Sequence, residues 1–370
     1  MKIAIIGGSI AGLCTGLALQ CNGHQVSIYE QSTADMKGKG AGIGLLDEMM
    51  DYLQEYHISS RKDIGIELHT RQVLNNKGYP ALTYPNKATF TSWDTVYRQL
   101  KNMFPEKDYK SLHKLTQFQQ NTDNIQLGFE NGNSAEAEMV VGADGYNSFI
   151  RHQFLPEIEP LYTGYIALRG ILPFSQIPKE LVKMLLYKFT YVSEEGSMFF
   201  CYFIPGEKGE KMVESTRLNW IWYTHKSSSE LKDILRDENG IEHHLSLSSG
   251  LMREDVRNSL LEQSSKSIPP NIHRLLQITD FPFVQAIVDM EVPAMQFGRS
   301  VILGDAAFVV RPHTAGGATK ASQDGIALAT ALKSHNNFSS ALLHWEYERL
   351  KYGKSLAERG KSLAKRYGME

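Results

Sequence analysis

Near the start of the chain, Gly7-Gly8-Ser9-Ile10-Ala11-Gly12 has the make-up of a loop that lets a phosphate reach backbone amides. The run Lys2-Ile3-Ala4-Ile5-Ile6 before it reads as a buried parallel strand, and Leu13, Leu17 and Leu19 with Ala11 and Ala18 suit a buried helix after it. In a strand–glycine turn–helix unit the helix N-terminus offers free N–H groups, and glycines allow a pyrophosphate to come close. Gly7 and Gly12 fill the outer places of a Gly-x-Gly-x-x-Gly pattern. Ser9 stands at the middle one, where a small side chain still admits a phosphate beside Ile10 and Ala11. Gln25-Val26-Ser27-Ile28-Tyr29 alternates as a second strand and ends at Glu30, a carboxylate placed to accept hydrogen bonds from ribose hydroxyls and to repel a 2′-phosphate. The pattern leaves open whether the adenosine belongs to NAD or FAD.

Two more segments narrow that choice. Val140-Val141-Gly142-Ala143-Asp144-Gly145-Tyr146-Asn147-Ser148-Phe149-Ile150-Arg151 and Val301-Ile302-Leu303-Gly304-Asp305-Ala306-Ala307 each read as a strand followed by a Gly–Asp turn. The second continues through Pro312-His313-Thr314-Ala315-Gly316-Gly317 into a helix expected over 318–332. With these three motifs in this order, the chain resembles the aromatic-ring-hydroxylating flavoprotein monooxygenases of the p-hydroxybenzoate hydroxylase class.

The resemblance implies FAD as cofactor and NADH or NADPH as co-substrate. It assigns Asp305 to the ribityl or ribose part of FAD, and Asp144 with Gly145 to the region of the pyrophosphate and nicotinamide path. Pro312, Gly316, Gly317 and Ala318 would lie along the isoalloxazine with amides facing N1 and C2=O, where a helix N-terminus stabilises the negative charge of reduced flavin. Gly40-Ala41-Gly42-Ile43-Gly44-Leu45 matches a second glycine-rich loop beside the flavin, Arg98 an arginine near the pyrophosphate, and Leu115 a strand under the adenine. Gln31 follows Glu30 where this class often carries arginine. Tyr162-Thr163-Gly164-Tyr165, Arg169-Gly170, Lys188-Phe189-Thr190-Tyr191 and Arg311-Pro312-His313 are most similar to members of the class that act on hydroxypyridines.

The chemistry so implied is reduction of the flavin by NAD(P)H, addition of O₂ to give a C4a-hydroperoxide, and electrophilic attack of its distal oxygen on an electron-rich aromatic or N-heteroaromatic ring. A hydrogen-bonding group or base near the substrate hydroxyl raises the ring's reactivity. Tyr202 and His225, on strand-like runs of the central region, are the candidates for that role. Arg169 is the candidate anchor for an anion or hydroxyl. Oxidation without oxygen insertion, and a degenerate FAD-binding protein, are the competing readings.

These residues need a scaffold, and the pattern supplies one. Aromatic-rich strand-like runs such as Met198-Phe199-Phe200-Cys201-Tyr202-Phe203 and Leu218-Asn219-Trp220-Ile221-Trp222-Tyr223 occupy the middle of the chain, a helical or loop-rich stretch follows over 229–276, and a polar helix closes it over 339–366. The expected fold is α/β with an α+β insert. A Rossmann-like FAD-binding domain of the p-hydroxybenzoate hydroxylase type is built from residues 1–67, 91–160 and 286–370, and a mixed β-sheet substrate domain from 68–90 and 161–285.

Composition excludes several other functions. Lys+Arg 39 against Asp+Glu 41 leaves a net charge of −2, so no general basic field holds nucleic acid. No stretch reaches the roughly 20 apolar residues of a membrane span. Gly7, Gly8, Gly12 and Gly16 interrupt the apolar N-terminal run, which argues against a secretory signal. Three cysteines fit a reducing, cytoplasmic setting. His243-His244 has no carboxylate or cysteine at metal-ligand spacing, so no metal is expected. Gly-x-Ser-x-Gly and P-loop motifs are absent, and Trp220-Ile221-Trp222 lacks the Ile-Pro that would follow in a flavin halogenase. The basic residues of the last helix read as a solvated face. The expected partners are a small aromatic substrate and O₂, with a homodimer left open.

Overall fold

A computed structural model describes residues 1–32 and 41–369; Gly40 of the second glycine-rich loop lies outside them. Lys2–Ile6 is the centre of a six-stranded sheet whose order is Gln296–Phe297, Ser300–Ile302, Met139–Gly142, Lys2–Ile6, Gln25–Tyr29, Tyr109–Lys110. All neighbours are parallel except the edge pair Gln296–Phe297 and Ser300–Ile302. Covered on both faces, these strands need the unbroken Ile and Val runs seen in the sequence rather than an alternating pattern. Register does the rest: Ile6 lies opposite Gly142, and Gly142 opposite Ile302. The three turns that follow these strands therefore emerge side by side at one end of the sheet, where open α/β sheets bind their ligands.

The helix Ile10–Cys21 leaves the first turn, and Gly317–Ser334 packs along it. A 29-residue helix, Phe338–Arg366, covers Gly317–Ser334 and returns toward the second layer. No described helix is long and apolar enough to cross a membrane.

The second large sheet runs Ser246–Leu247, Phe283–Glu291, Leu161–Pro173, Arg217–His225, Ser197–Ile204, Lys188–Glu194, Ile66–Leu74, Pro80–Ser92, Gly42–Leu45. It is antiparallel but for the pair Lys188–Glu194 and Ile66–Leu74. Alternation splits its residues between two faces. Leu168, Phe199, Phe203, Trp220 and Trp222 point to the rear, into a core shared with the helices Glu254–Ser264 and Pro270–Gln277. Tyr165, Ala167, Met198, Ile221 and Tyr223 share the front cluster with Ala364 and Met369 from the end of the last helix. A small meander, Leu115–Gln120, Ile125–Phe129 and Ser134–Ala137, flanks the nucleotide sheet.

The expected domain limits need correction. The large sheet takes in Gly42–Leu45, extends through Ser92, and includes all of Phe283–Glu291. The seam between the layers thus runs within strands. It does not fall at 67, 90 or 285, because a hydrogen-bonded ladder has no natural break there.

The two halves of the nucleotide layer meet where Gly325 touches Thr15; a Cβ at Gly325 would lie 2.4 Å from Thr15 Oγ1 and 2.7 Å from Thr15 Cα. Gly325→Val is expected to destabilise the protein by about 1–3 kcal/mol through overpacking, read as a lower denaturation midpoint. An unchanged midpoint would mean that this helix pair is not closely packed.

Candidate active site

A cleft of about 790 Å³ opens where the three turns converge. Gly7, Ser9, Ile10, Ala11, Glu30, Gln31, Leu115, Asp144, Gly145, Asp305, Gly317 and Ala318 all line it. Gly7 holds φ +103°, and a Cβ there would lie 2.2 Å from the Ala143 carbonyl oxygen, so only glycine lets the first and second turns abut. Gly12 sits one turn behind, against the Gly7 carbonyl rather than in the cleft. Ser9 caps its helix without a side-chain hydrogen bond, so the first-turn amides have no side-chain partner there.

Glu30 is tied into the protein by both oxygens. Oε2 accepts from the Gly8 amide at 2.7 Å, and Oε1 accepts from the Ser32 amide and hydroxyl, each at 2.8 Å. The carboxylate thereby fixes the phosphate loop while still facing the cleft. Asp144 is similarly divided: it accepts from Ser148 Oγ at 2.5 Å and from the Ile150 amide at 3.2 Å. Burial raises its carboxyl, and these two donors pull the other way.

Asp305 differs. Its side chain opens into the cleft, and removal of water by the surrounding protein raises its carboxyl, Asp324 adding to the rise and Lys320 opposing it. Behind it, Asp324 Oδ2 accepts from the Gly304 amide at 3.0 Å and from Lys320 Nζ at 2.7 Å, while Arg349 Nε donates to Oδ1 at 2.7 Å. Burial alone raises the Asp324 carboxyl; Lys320, Arg349 and the Gly304 amide together hold it below the usual carboxylate range.

Several lining residues were not among the sequence candidates: Tyr29, Trp93, His113, Lys114, Asn147, Arg151 and His152. Arg151 carried a visible signal, since it closes the Asp144 motif quoted above. Its Nε donates to the Ile158 carbonyl at 3.1 Å and Nη1 to the Ala306 carbonyl at 3.4 Å, which joins the two Gly–Asp turns. Trp93 opens the helix Trp93–Met103 and His113 sits just before the strand Leu115–Gln120, neither within a motif of its own.

Besides Gly12, four cofactor candidates stand elsewhere. Arg98 is turned away from the cleft: its Nε donates to its own helix at the Asp94 carbonyl, and its Nη2 lies toward Gly209. Gly316 packs on Leu356, and Pro312 is not part of the cleft wall. Gly42, on the edge strand of the large sheet, is so close to the front face that a Cβ there would lie 2.7 Å from both the Tyr202 ring and the Asn219 side chain.

That front face holds the substrate candidates. Arg169 Nη1 donates to Gln285 Oε1 at 2.7 Å and Nη2 to the Gly42 carbonyl at 3.1 Å, and the Gly42 amide donates to Asn219 Oδ1 at 2.8 Å. Arg169 forms no ion pair among the described residues, and burial lowers its pKa, with Tyr202 and Tyr223 opposing. Arg169 Nε and Asn219 Nδ2 are buried without a hydrogen-bond partner. Tyr202 stacks within an aromatic wall, its ring centre 4.2 Å from that of Phe90. Burial pushes its phenol well up, so it stays protonated. His225 is the correction on this face. At the end of its strand it is exposed, and its Nε2 lies 3.2 Å from the Gly368 carbonyl, so the structure uses it to hold the C-terminal turn.

The cleft suits FAD on its own evidence. Helix first turns without side-chain caps line it after Ser9 and at Gly317 and Ala318, the Asp305 carboxylate opens into it, and a glycine turn gives close backbone approach. Comparisons agree. Residues 1–162 match the family described as FAD binding domain, and residues 162–289 the one described as FAD binding domain-like. The chain is 31% identical to 2,6-dihydroxypyridine 3-monooxygenase of Paenarthrobacter nicotinovorans over 99% of its length and 91% of that enzyme. It is 27% identical to 6-hydroxynicotinate 3-monooxygenase of Pseudomonas fluorescens over 91% of its length and 84% of that enzyme. The solved structure of 2,6-dihydroxypyridine-3-hydroxylase from Arthrobacter nicotinovorans superposes with a TM-score of 0.93 at 30% identity, covering 99% of this chain and 92% of that one.

Two variants test the cleft. Asp305→Ala is expected to weaken FAD binding about tenfold or more, at least about 1.4 kcal/mol, in fluorescence titrations of the apoprotein. Ser9→Phe should yield folded, colourless protein; if it purifies fully loaded with flavin, the phosphate does not sit at this loop. Relatedness that runs the length of the chain, together with turns converging as FAD requires, establishes that this protein belongs to the FAD-dependent aromatic-ring monooxygenases of the p-hydroxybenzoate hydroxylase type.

Proposed function

We propose that the protein uses NADH or NADPH and O₂ to hydroxylate a small hydroxylated pyridine or a closely related phenol-like ring. The observation that carries this reading is the front face of the large sheet. A buried guanidinium without a carboxylate, Arg169, adjoins an amide with a free Nδ2, Asn219, inside a wall made by Phe90, Phe189, Phe200 and Tyr202. Flat aromatic surface of this kind suits a ring, and two unsatisfied N–H groups suit oxygen substituents on it. The relatives named above, which act on dihydroxypyridine and hydroxynicotinate, support the same class.

FAD, when bound, supplies hydride acceptance from the nicotinamide and activation of O₂. The residues of the chain divide the remaining work. Glu30 and the amides after Ser9 hold the adenosine and phosphate end, and Asp305 holds hydroxyls of the sugar chain. The N-terminus of Gly317–Ser334 places backbone N–H groups beside the redox ring, where they stabilise negative charge without rearrangement. Arg169 and Asn219 orient the substrate oxygens and favour their deprotonated form. The aromatic wall and the buried Tyr223 exclude water from the space between. The described cysteines, Cys14, Cys21 and Cys201, are all unpaired, which supports a reducing cytoplasmic setting.

The test is a screen of hydroxypyridines and phenols for stimulated NAD(P)H oxidation, run under ¹⁸O₂ with product mass measured. A substrate of this class should gain one ¹⁸O atom. NAD(P)H consumption with peroxide release and no labelled product for any member would favour oxidation without oxygen insertion. Arg169→Met should raise KM for the true substrate at least tenfold, about 1.4 kcal/mol, while FAD content stays near that of the parent protein.

A further inference from the structure

A neutral imidazole carries its proton on one nitrogen, and the group facing the other nitrogen decides which. His313 lies in the turn Pro312–Thr314, immediately before the helix that adjoins the redox ring. Its Nε2 is 3.0 Å from Tyr165 Oη on the large sheet. Its Nδ1 is buried and has no partner. Around it stand Tyr223, with a ring centre 4.7 Å away, and Tyr367 at 5.8 Å, so it looks into the aromatic front face. Burial, and then Arg311, lower its pKa to about 4, which keeps it neutral near pH 7.

Tyr165 is fully buried and must place its single hydroxyl proton on an acceptor. Burial raises the pKa of its phenol, and the neighbouring Arg311 and Thr163 both oppose that rise. Arg311 is itself fixed by Asp289, through Nε at 3.0 and 3.1 Å to the two carboxylate oxygens and Nη2 at 2.8 Å. Nearby Thr163 spends its hydroxyl proton on the Ile287 carbonyl at 2.8 Å. Two acceptors stand within reach of the Tyr165 proton, Thr163 Oγ1 and His313 Nε2, and the imidazole nitrogen, the more basic of the two, takes it. The opposite arrangement would leave His313 Nδ1 a bare buried acceptor.

We propose that the Asp289–Arg311–Tyr165 chain locks His313 as its Nδ1–H tautomer, and that this N–H is a donor to an oxygen of the bound aromatic substrate. Resting on the functional reading above, it gives that site a third N–H besides Arg169 Nε and Asn219 Nδ2. All three are donors. The site thus recognises a ring whose oxygens are acceptors, as an oxyanion or ring carbonyl, and His313 acts as an electrostatic stabiliser and not as a base. Tyr165 is the positioning residue behind it.

The decisive measurement is the ¹H–¹⁵N spectrum of the FAD-loaded enzyme labelled with ¹⁵N-histidine, His313 being assigned by its loss in His313→Asn. Nδ1 should show the shift of a protonated ring nitrogen and Nε2 that of an unprotonated one. Tyr165→Phe should shift the pattern toward Nε2–H. A wild-type signal with Nε2 protonated overturns the proposal. A second arm uses 2,6-dihydroxypyridine as probe, read by perturbation of the flavin absorbance. His313→Asn, whose amide nitrogen falls near the place of Nδ1, should keep affinity within about threefold. His313→Gln, whose nitrogen falls near Nε2, should lose tenfold or more. Equal losses in the two variants refute the donor role. A wild-type enzyme that binds no hydroxypyridine refutes the substrate class instead, and the spectrum still decides the tautomer.

Discussion

Asp324 is a carboxylate with no exposed surface, shared among segments far apart in the chain. It receives the Gly304 amide from the third turn, Lys320 from its own helix and Arg349 from the last helix. A charge buried this deeply persists only when paired and hydrogen-bonded, and stripping one partner from such a set typically costs about 3–5 kcal/mol. The network therefore holds more than stability. It sets the turn that carries Asp305, and it fixes the helix Gly317–Ser334, whose first turn lines the cleft. Trp345 Nε1 adds a bond to the Asp324 carbonyl at 3.0 Å, so the last helix is anchored at the same point. That helix also carries Ala364, with Met369 just beyond its end, into the front cluster of the large sheet.

Within the large sheet a second connection is narrower. Its edge strand Gly42–Leu45 is held by Asn219 and Arg169, which bond the Gly42 amide and carbonyl. The residues proposed to meet a substrate are thus partly spent on that edge. What they leave unpaired is one N–H on each. Under that proposal recognition and assembly draw on the same two side chains, so a change at either would alter sheet packing along with affinity. A compensating feature lies at Ala315, which holds a left-handed φ of +52° at the end of the turn containing His313. A non-glycine residue there costs roughly 1–2 kcal/mol. Strain of this kind persists where the surroundings over-determine a turn, as they do beside a functional group.

The sequence was most legible where a single physical rule acts locally. Lys2–Ile6 is read from an apolar run and Gln25–Tyr29 from alternation, and Gly317–Ser334 and Phe338–Arg366 lie within a few residues of the helices expected. Strand alternation puts Arg169 and Tyr202, candidates named from strand-like runs, on the face away from Trp220 and Phe203. His225 obeys the same alternation, yet the rule says nothing of how far along a strand the site extends, and the last position belongs to the edge. Arg98 failed for a similar reason: helical position fixes a direction of departure, not the destination of a long side chain. Trp93, His113 and Lys114 were invisible because nothing in their own segments marks them; they reach the cleft only after distant loops fold together. The domain limits were misplaced because Gly42–Leu45 joins the large sheet by long-range pairing with Pro80–Ser92, which no local pattern announces.

The charge balance of the substrate face explains why that face is polar at all. A guanidinium buried without an anion is costly, and replacing it with an apolar side chain is often neutral or stabilising in a structural setting. Arg169 has no structural carboxylate to justify it; its protein partners are an amide oxygen and a peptide carbonyl. An enclosed donor of that sort is compensated fully only when an electron-rich oxygen arrives. Binding then replaces water around the guanidinium with the ligand, in a space of low dielectric where the attraction is strongest. The same attraction lowers the proton affinity of the ligand's hydroxyl, and a deprotonated ring is the better target for an electrophilic oxygen. Under the proposed function, substrate affinity and substrate activation would thus arise from one uncompensated charge, carried by a residue that stability alone does not require.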